Sequence, residues 1–358
     1  MRRSLLLLLA TALALSLPAN ADCDPVFVSL TAKVLTVQPT DFDDTANLQC
    51  AFDWAATIGP GVKVSLAEGT FFTEQLVVNG VRGTIRGMGQ GRTIISNVGH
   101  LLPIDAPDCL TGTDPCFADS PPSATNRYPA LISVLGDDVT LSDLSIEVVG
   151  THITETWSMW GPFQIRALSE TLQFYGSNSK LRIQSVSMAG EPLAPDAEGF
   201  WGGVGTCVLM WSFSRPWFVT GSSMLVKDST FQGGAGVSAY NIDHSGMTLM
   251  NNRFELRDFG TATILSDVRN SRILVSHNEV VPLGPGVWGI NMWPGNSGTG
   301  IESSWLMFDN NHYAGDAAMV IDPDTFHDDV KCLLVNNDVS EVTSPYVFNG
   351  QECRTTGP

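Results

Sequence analysis

A six-residue phrase recurs along the 358-residue chain and narrows what it can fold into. Its first and sixth positions are apolar, and its best copies carry asparagine at the fourth. The copies run Leu141 to Ile146, Ile183 to Met188, Val226 to Phe231, Leu249 to Phe254, Val275 to Val280, Phe308 to Tyr313 and Leu334 to Val339. Their fourth positions, Leu144, Val186, Ser229, Asn252, Asn278, Asn311 and Asn337, are separated by 42, 43, 23, 26, 33 and 26 residues. Short strands repeating every 20 to 30 residues or so mark a solenoid, in which each lap pairs only with its neighbours. A strand rises about 3.3 Å per residue, so three short strands and their turns complete one lap. The two long gaps read as coils carrying insertions. Asparagine tolerates the left-handed backbone of a tight turn and can hydrogen-bond from coil to coil, so Asn252, Asn278, Asn311 and Asn337 are read as structural. The expected fold is all-β, a single-stranded parallel β-helix of about ten coils.

Composition agrees with that reading. The chain is 43% hydrophobic and 16% charged, which supplies a large core and excludes a disordered tail. Its 34 glycines, 20 prolines and mean hydropathy of +0.09 suit turn-rich β structure better than a helical bundle. Arg2 and Arg3 lead into an apolar run from Leu5 to about Leu15, and Ala19-Asn20-Ala21 offers small residues for cleavage. Residues 1–21 therefore read as a secretory signal peptide and residues 22–358 as one mature domain, placed in the periplasm or outside the cell. The apolar run is shorter than the roughly 20 residues that cross a bilayer, so no membrane insertion is expected. Removing Arg2 and Arg3 leaves 17 basic residues against 37 acidic ones, a charge near −20 that repels phosphate backbones and argues against nucleic acid as a partner.

All seven cysteines lie in the mature part, in a compartment where disulfides persist, and at least one must stay unpaired. Loop position suggests Cys23 with Cys50, Cys109 with Cys116 and Cys332 with Cys353, although seven cysteines allow many connectivities. Cys207, inside the apolar run Val204 to Met210, is then a buried thiol.

Three segments carry a family resemblance. Asp43-Asp44-Thr45 opens an apolar stretch through Phe52, Gly61 to Phe72 ends in Gly-Thr-Phe-Phe, and Val81 to Gly89 closes on Gly87-Met88-Gly89. This opening resembles that of the pectate-lyase-like right-handed parallel β-helix superfamily, and the asparagine repeats extend the likeness to about residue 350. Asp43 or Asp44 can take the free amide hydrogens of a helix start, while Ala46, Leu48, Ala51, Phe52, Ala55 and Ala56 form a stripe to plug the open end. The resemblance implies the fold and a polysaccharide or oligosaccharide partner. It does not choose among lyases, hydrolases, epimerases, tailspikes and adhesins.

In the superfamily the substrate lies along the strands after the asparagine turn. Alternation with Ser238, Tyr240 and Ile242 inward turns Asn241 and Asp243 outward; with Trp288, Ile290 and Met292 inward, Asn291 and Trp293 face out. Asp243 and Asp267 then end equivalent strands about 4.8 Å apart, a spacing at which one carboxyl can act as acid and the other as nucleophile or base, with His244 as a proton carrier. The run Asn241 to His244 resembles a Trp-Ile-Asp-His segment of pectate lyases. Eight of the nine tryptophans fall between residues 157 and 305, and flat amphipathic rings suit sugar faces. Trp160, Trp201, Trp211, Arg215, Trp217, Asn241, Asn291 and Trp293 are the expected substrate contacts, with the loops 191–201 and 211–220 as groove walls. The acidic run Ile321 to Asp329 has oxygen ligands of the kind calcium takes, but its spacing matches no defined calcium loop, so a solvated turn is expected and no cofactor is required.

The function expected is glycoside hydrolysis by paired carboxylates. The alternatives are a polysaccharide lyase, disfavoured by the scarcity of Lys and Arg on the proposed face, and a non-catalytic carbohydrate-binding or surface adhesion protein.

Overall fold

The computed structural model describes residues 23–97, 130–136, 138–148, 170–190, 206–211, 218–295 and 300–356. The chain winds as a parallel β-helix. Each coil contributes up to three short strands, and strands at the same station of successive coils pair in parallel to make three sheets. Sheet 1 runs through Val62–Leu66, Arg82–Arg86, Ser223–Lys227, Gly246–Met250, Arg272–Ser276, Trp305–Asp309 and Lys331–Val335. Sheet 2 includes Gly69–Thr73, Thr93–Asn97, Glu279–Pro282 and His312–Gly315. Sheet 3 includes Leu76–Val78, Ala130–Val134, Glu170–Phe174, Thr206–Trp211, Trp288–Trp293 and Ala317–Ile321. The long strands Asp138–Glu147 and Lys180–Ala189 stand between Arg82–Arg86 and Ser223–Lys227 in sheet 1 and bend into sheet 2, while Thr230–Asp243 and Arg253–Arg269 bend from sheet 2 into sheet 3 and pair along both.

The repeat phrase forms the corner between sheets 1 and 2. Asn252, Asn278 and Asn311 are buried, and each backbone N–H donates to the amide oxygen of the next coil's asparagine at 2.9–3.0 Å, as does each side-chain nitrogen. Ser229 continues the column by accepting from Val186 and donating its N–H to Asn252. The coil-to-coil role expected of these asparagines is therefore present. The left-handed residue is the one before each, with φ of 53° at Asp228, 55° at Asn251, 57° at His277 and 50° at Asn310. The turn thus divides its work: one residue reverses the chain and the next ties the coils together.

A second column stands at the corner from sheet 3 back to sheet 1. The N–H groups of Ser179, Ser222, Ser245 and Ser271 donate to the hydroxyls of Ser222, Ser245, Ser271 and Ser304 at 3.0–3.2 Å, and all five serines are buried. Here too a left-handed residue comes first: Asn178, Gly221, His244, Asn270 and Ser303. The separations along this column, 43, 23, 26 and 33 residues, repeat those of the asparagine corner.

Between the corners, inward side chains fill the coil. Sheet 1 contributes Leu141, Ile183, Val226, Leu249, Val275, Phe308 and Leu334, one per coil in register and almost fully buried. Phe231 and Phe254 stack in adjacent coils of sheet 2 with centroids 5.2 Å apart. The helix Thr45–Ile58 plugs the first coil with Leu48, Ala51, Phe52 and Ala55. Ala46 is exposed at its first turn and Ala56 half-buried, so the plugging stripe is narrower than the sequence suggested.

The two aspartates before the helix divide their roles. Asp43 accepts from the Thr45 N–H at 2.9 Å. Asp44 is buried and accepts instead from the Thr40 and Phe72 N–H groups, at 2.8 and 3.1 Å, tying the helix start to sheet 2. Burial outweighs those hydrogen bonds and raises its pKa above the ordinary 3.8.

Cys23–Cys50 and Cys332–Cys353 are disulfides, with Cα atoms 5.5 and 4.6 Å apart, and they fasten the two ends as loop position suggested. Cys109 and Cys116 lie outside the described residues, as does the side chain of Cys207. So do residues 1–21. Among the described residues no helix is long and apolar enough to cross a membrane.

Candidate functional site

The register of sheet 3 decides which side chains leave the barrel together. Val237, Thr263 and Ile290 align, as do Ala239, Leu265 and Met292, and of these six all but Thr263 belong to the hydrophobic core. The intervening columns face outward: Ser238, Ile264 and Asn291 in one, Tyr240, Ser266 and Trp293 in the other. Asn291 and Trp293 thus point out as expected. Ser238 and Tyr240, expected inward, point out as well.

The cause is a phase change. Asn241 adopts φ 51° and Asp267 φ 50°, and a left-handed residue within a strand flips the alternation. Counting back in twos from the buried Ile242 therefore gives the wrong face. The flip also overturns the expected carboxylate pair. Tyr240 aligns with Ser266 and Ile242 with Val268, so the neighbour of Asp267 is Asn241, while Asp243 lies opposite Arg269. Asp243 and Asp267 do not occupy equivalent positions; they are two residues out of register.

They also have different surroundings. Asp243 belongs to the serine corner, where its Oδ1 lies 2.8 Å from His244 Nδ1 and accepts from Asn270 Nδ2 at 3.0 Å. The His244 side chain is 66% exposed there. Asn241 to His244 therefore spans a bend, with Ile242 in the core and His244 itself in a left-handed turn.

Asp267 is only 2% exposed and lies beside the Ser266 hydroxyl, which donates to its Oδ2 at 3.3 Å. Gly295 of the next coil closes over it. Its φ is +73°, and a Cβ there would come within 2.0 Å of Asp267 Oδ2, so only glycine fits. Beyond it the outward column continues through Tyr240, Ser266 and Trp293 to Asp322, whose N–H donates to the Met292 carbonyl. The Tyr240 and Trp293 rings meet edge to face across the small Ser266, with centroids 6.3 Å apart. Burial alone raises the pKa of Asp322 above the ordinary carboxylate value. Asn291 Oδ1 and Ser238 Oγ are buried on this face without a hydrogen-bond partner among the described residues.

The structure thus gathers Asn241, Asp267, Asn291 and Trp293 at one end of sheet 3, and adds Tyr240, Ser266 and Asp322, which were not among the expected site residues. Asp243 and His244 belong to a different corner. Trp160, Trp201, Arg215 and Trp217 lie outside the described residues, as do the loop 191–201 and the side chain of Trp211. In the acidic run from Ile321, Asp322 faces the site while Asp324, Asp328 and Asp329 are exposed. Among the described residues no group of three His, Cys, Asp or Glu side chains is placed to hold a metal ion.

No protein-family model matches the chain, and no curated protein matches it in sequence. Solved structures are similar to it over most of its length. A pectin methylesterase from Aspergillus niger is 12% identical, with 92% of this chain aligned to 91% of that one at a TM-score of 0.48. A polygalacturonase from Erwinia carotovora is 9% identical over 92% of this chain and 97% of its own, also at 0.48. A pectin methylesterase from Yersinia enterocolitica is 14% identical over 85% and 93%, at 0.43. The strand pairings make the chain a parallel β-helix, and at these identities and TM-scores the likeness assigns it no family and no residue a role.

Proposed function

We propose that this is a secreted polysaccharide hydrolase whose active groove follows the outer side of sheet 3. The observation that carries the reading is Asp322: a half-buried carboxyl whose pKa burial raises above the ordinary carboxylate value, in the same column as two aromatic rings and two coils from a second carboxylate, Asp267. Two coil steps of about 4.8 Å and a one-residue offset put the Cα atoms roughly 10 Å apart. That scale suits the inverting arrangement, with carboxyl groups about 6.5–9.5 Å apart, better than the retaining one at about 5–5.5 Å.

In this mechanism Asp322 gives its proton to the glycosidic oxygen as the bond to the anomeric carbon breaks. A water attacks that carbon from the opposite face and loses its proton to Asp267, which the Ser266 hydroxyl holds in place. Trp293 and Tyr240 offer faces for the flanking sugars. Secretion belongs to the same proposal and draws on the N-terminal apolar run and the two disulfides.

A second reading, a non-catalytic carbohydrate binder, draws on the near-complete burial of Asp267. A polysaccharide panel separates the two. Hydrolysis yields reducing ends with no unsaturated chromophore, and Asp322→Asn then lowers the rate at least about a hundredfold with the fold intact. Binding without new reducing ends on any member of the panel leaves the binder reading. An unsaturated product would establish a lyase and defeat both.

A further inference from the structure

We infer a second saccharide site, on the outer face of sheet 1, that takes an acidic polysaccharide. The chain has 37 acidic residues against 19 basic, and most of its described arginines lie beside carboxylates: Arg86 with Asp143, Arg92 with Glu68, Arg182 with Asp138, Arg253 with Glu255 and Glu279, and Arg269 with Glu302. Arg272 departs from that pattern, as Arg257 and Arg354 do, and Lys331, like Lys33, Lys63 and Lys180, stands without a carboxylate among the described residues; what sets Arg272 and Lys331 apart is that they share one column. Both are exposed, and neither has a carboxylate within ion-pair distance among the described residues. Strand register puts them in one column, Arg272, Trp305 and Lys331, on three successive coils.

The guanidinium of Arg272 lies over the Trp305 ring, 4.4 Å from its centroid, so its planar donor edge is held in position without an acid to hold it. Two coil steps separate the two cations by about 10 Å. Two residues further along the same strands a parallel apolar column, Leu274, Met307 and Leu333, stands half-buried on the same face. On its other side the cationic column borders an open depression of about 640 Å³, which His244, Asn270 and Asp329 also line. Among the described residues Asp329 is the one carboxylate in that lining, against Arg272 and Lys331.

A flat row of apolar side chains beside a row of spaced, unpaired cations matches a linear polymer with apolar ring faces and anions at regular intervals along one edge. An oligouronate lying along the solenoid axis has that form: its ring C–H faces meet Leu274, Met307 and Leu333, and two of its carboxylates reach Arg272 and Lys331. The carbohydrate reading of sheet 3 supplies only the class of ligand, and the cation column stands without it. Sheet 1 would hold the polymer while sheet 3 acts on a neighbouring stretch or another chain.

The test is calorimetric titration of the full chain carrying Asp322→Asn, which prevents turnover, with a linear oligouronate and with its fully methyl-esterified form. The acidic oligomer should bind with an affinity that falls with salt. Arg272→Gln and Lys331→Gln should each weaken binding about fivefold and reduce the salt dependence, while Trp293→Ala leaves this site unchanged. The ester should gain nothing from either cation. Unchanged affinity and salt slope in Arg272→Gln with Lys331→Gln would overturn the site, whatever the hydrolysis assays show. So would finding that the pair of substitutions abolishes only self-association in light scattering, or only capture by phosphatidylserine vesicles. Conversely, absence of hydrolysis with this binding intact would defeat the hydrolase reading alone.

Discussion

Asn278→Ala tests the idea that the asparagine column, and not only the packed interior, holds the middle coils together. The side chain is 3% exposed and takes part in five hydrogen bonds. Its Oδ1 accepts from the N–H and Nδ2 of Asn252 at 3.0 and 2.9 Å, and its Nδ2 donates to the Leu249 and Ser276 carbonyls and to Asn311 Oδ1 at 3.0–3.1 Å. Alanine leaves the buried Asn252 N–H without an acceptor, which costs about 1–3 kcal/mol. It also removes the donor from two carbonyls, at about 1 kcal/mol each at most, since those oxygens keep other lone pairs. Asn252 Nδ2 still reaches the Val226 carbonyl and adds little. The total is about 3 kcal/mol. Asn337→Ala is the control, because Asn337 makes the same kind of contacts at a half-exposed last coil where water can replace them. It should cost about 1 kcal/mol. Guanidinium denaturation followed by circular dichroism measures the difference, and hydrogen exchange shows whether coils flanking residue 278 open first, since a solenoid need not unfold in one step. Equal costs for the two substitutions would refute the reasoning, because the column would then be incidental to packing.

Three further outcomes follow from the same structure. Burial gives folded Asp44 a pKa above the ordinary 3.8, so its proton-linked stabilisation is complete below about pH 3.8 and is lost as pH rises through the folded value; thermal melts across that window should show this slope in the wild type and its loss in Asp44→Asn. Replacing Cys332 and Cys353 with serine should cost about 2–4 kcal/mol in the last coils and speed hydrogen exchange there before the middle, whereas uniform loss along the chain would contradict end-fraying. Trp293→Ala removes the ring that meets Tyr240 and should weaken oligosaccharide binding to the sheet 3 groove by about 1–2 kcal/mol, with retained affinity removing Trp293 from the groove.

The coil architecture was legible because its signal is periodic: apolar pairs bracket each asparagine, and the terminal cysteines sit where a solenoid needs fastening. The serine column was equally present in the sequence, as Asn178-Ser179, Gly221-Ser222, His244-Ser245, Asn270-Ser271 and Ser303-Ser304, each just before a sheet 1 strand. Serine is common and its pairs look like ordinary turn residues, so the pattern emerges only when their separations are laid beside those of the asparagines. The site was less legible for a physical reason. Sheet 3 is buried on both faces in places, as at Ser238 and Ile264, so hydrophobicity does not report direction. A single left-handed residue, Asn241 or Asp267, then reverses the count, and reading through it joined Asp243 to the wrong neighbour. Asp322 ends the stretch from Ala317 that reads as one of the substrate-facing strands, but it also opens the acidic run to Asp329; register shows that it follows Trp293 onto the outer face.

The matching intervals of the two corner columns bear on how such a chain tolerates change in length. Sheet 1, lying between the serine corner and the asparagine corner, takes the same number of residues in each of the coils from Ser179 to Asn311, apart from the difference between a serine and an asparagine corner. The differences among the coil lengths of 43, 23, 26 and 33 residues are therefore all absorbed on the remaining arc, through sheet 2 and sheet 3. Segments inserted or deleted on that arc leave both columns in phase, so one flank can diversify freely while the opposite flank keeps a fixed pitch. A lineage built this way can exchange its working surface piecemeal, coil by coil, and drift in sequence far beyond recognisable identity without losing the frame that carries it.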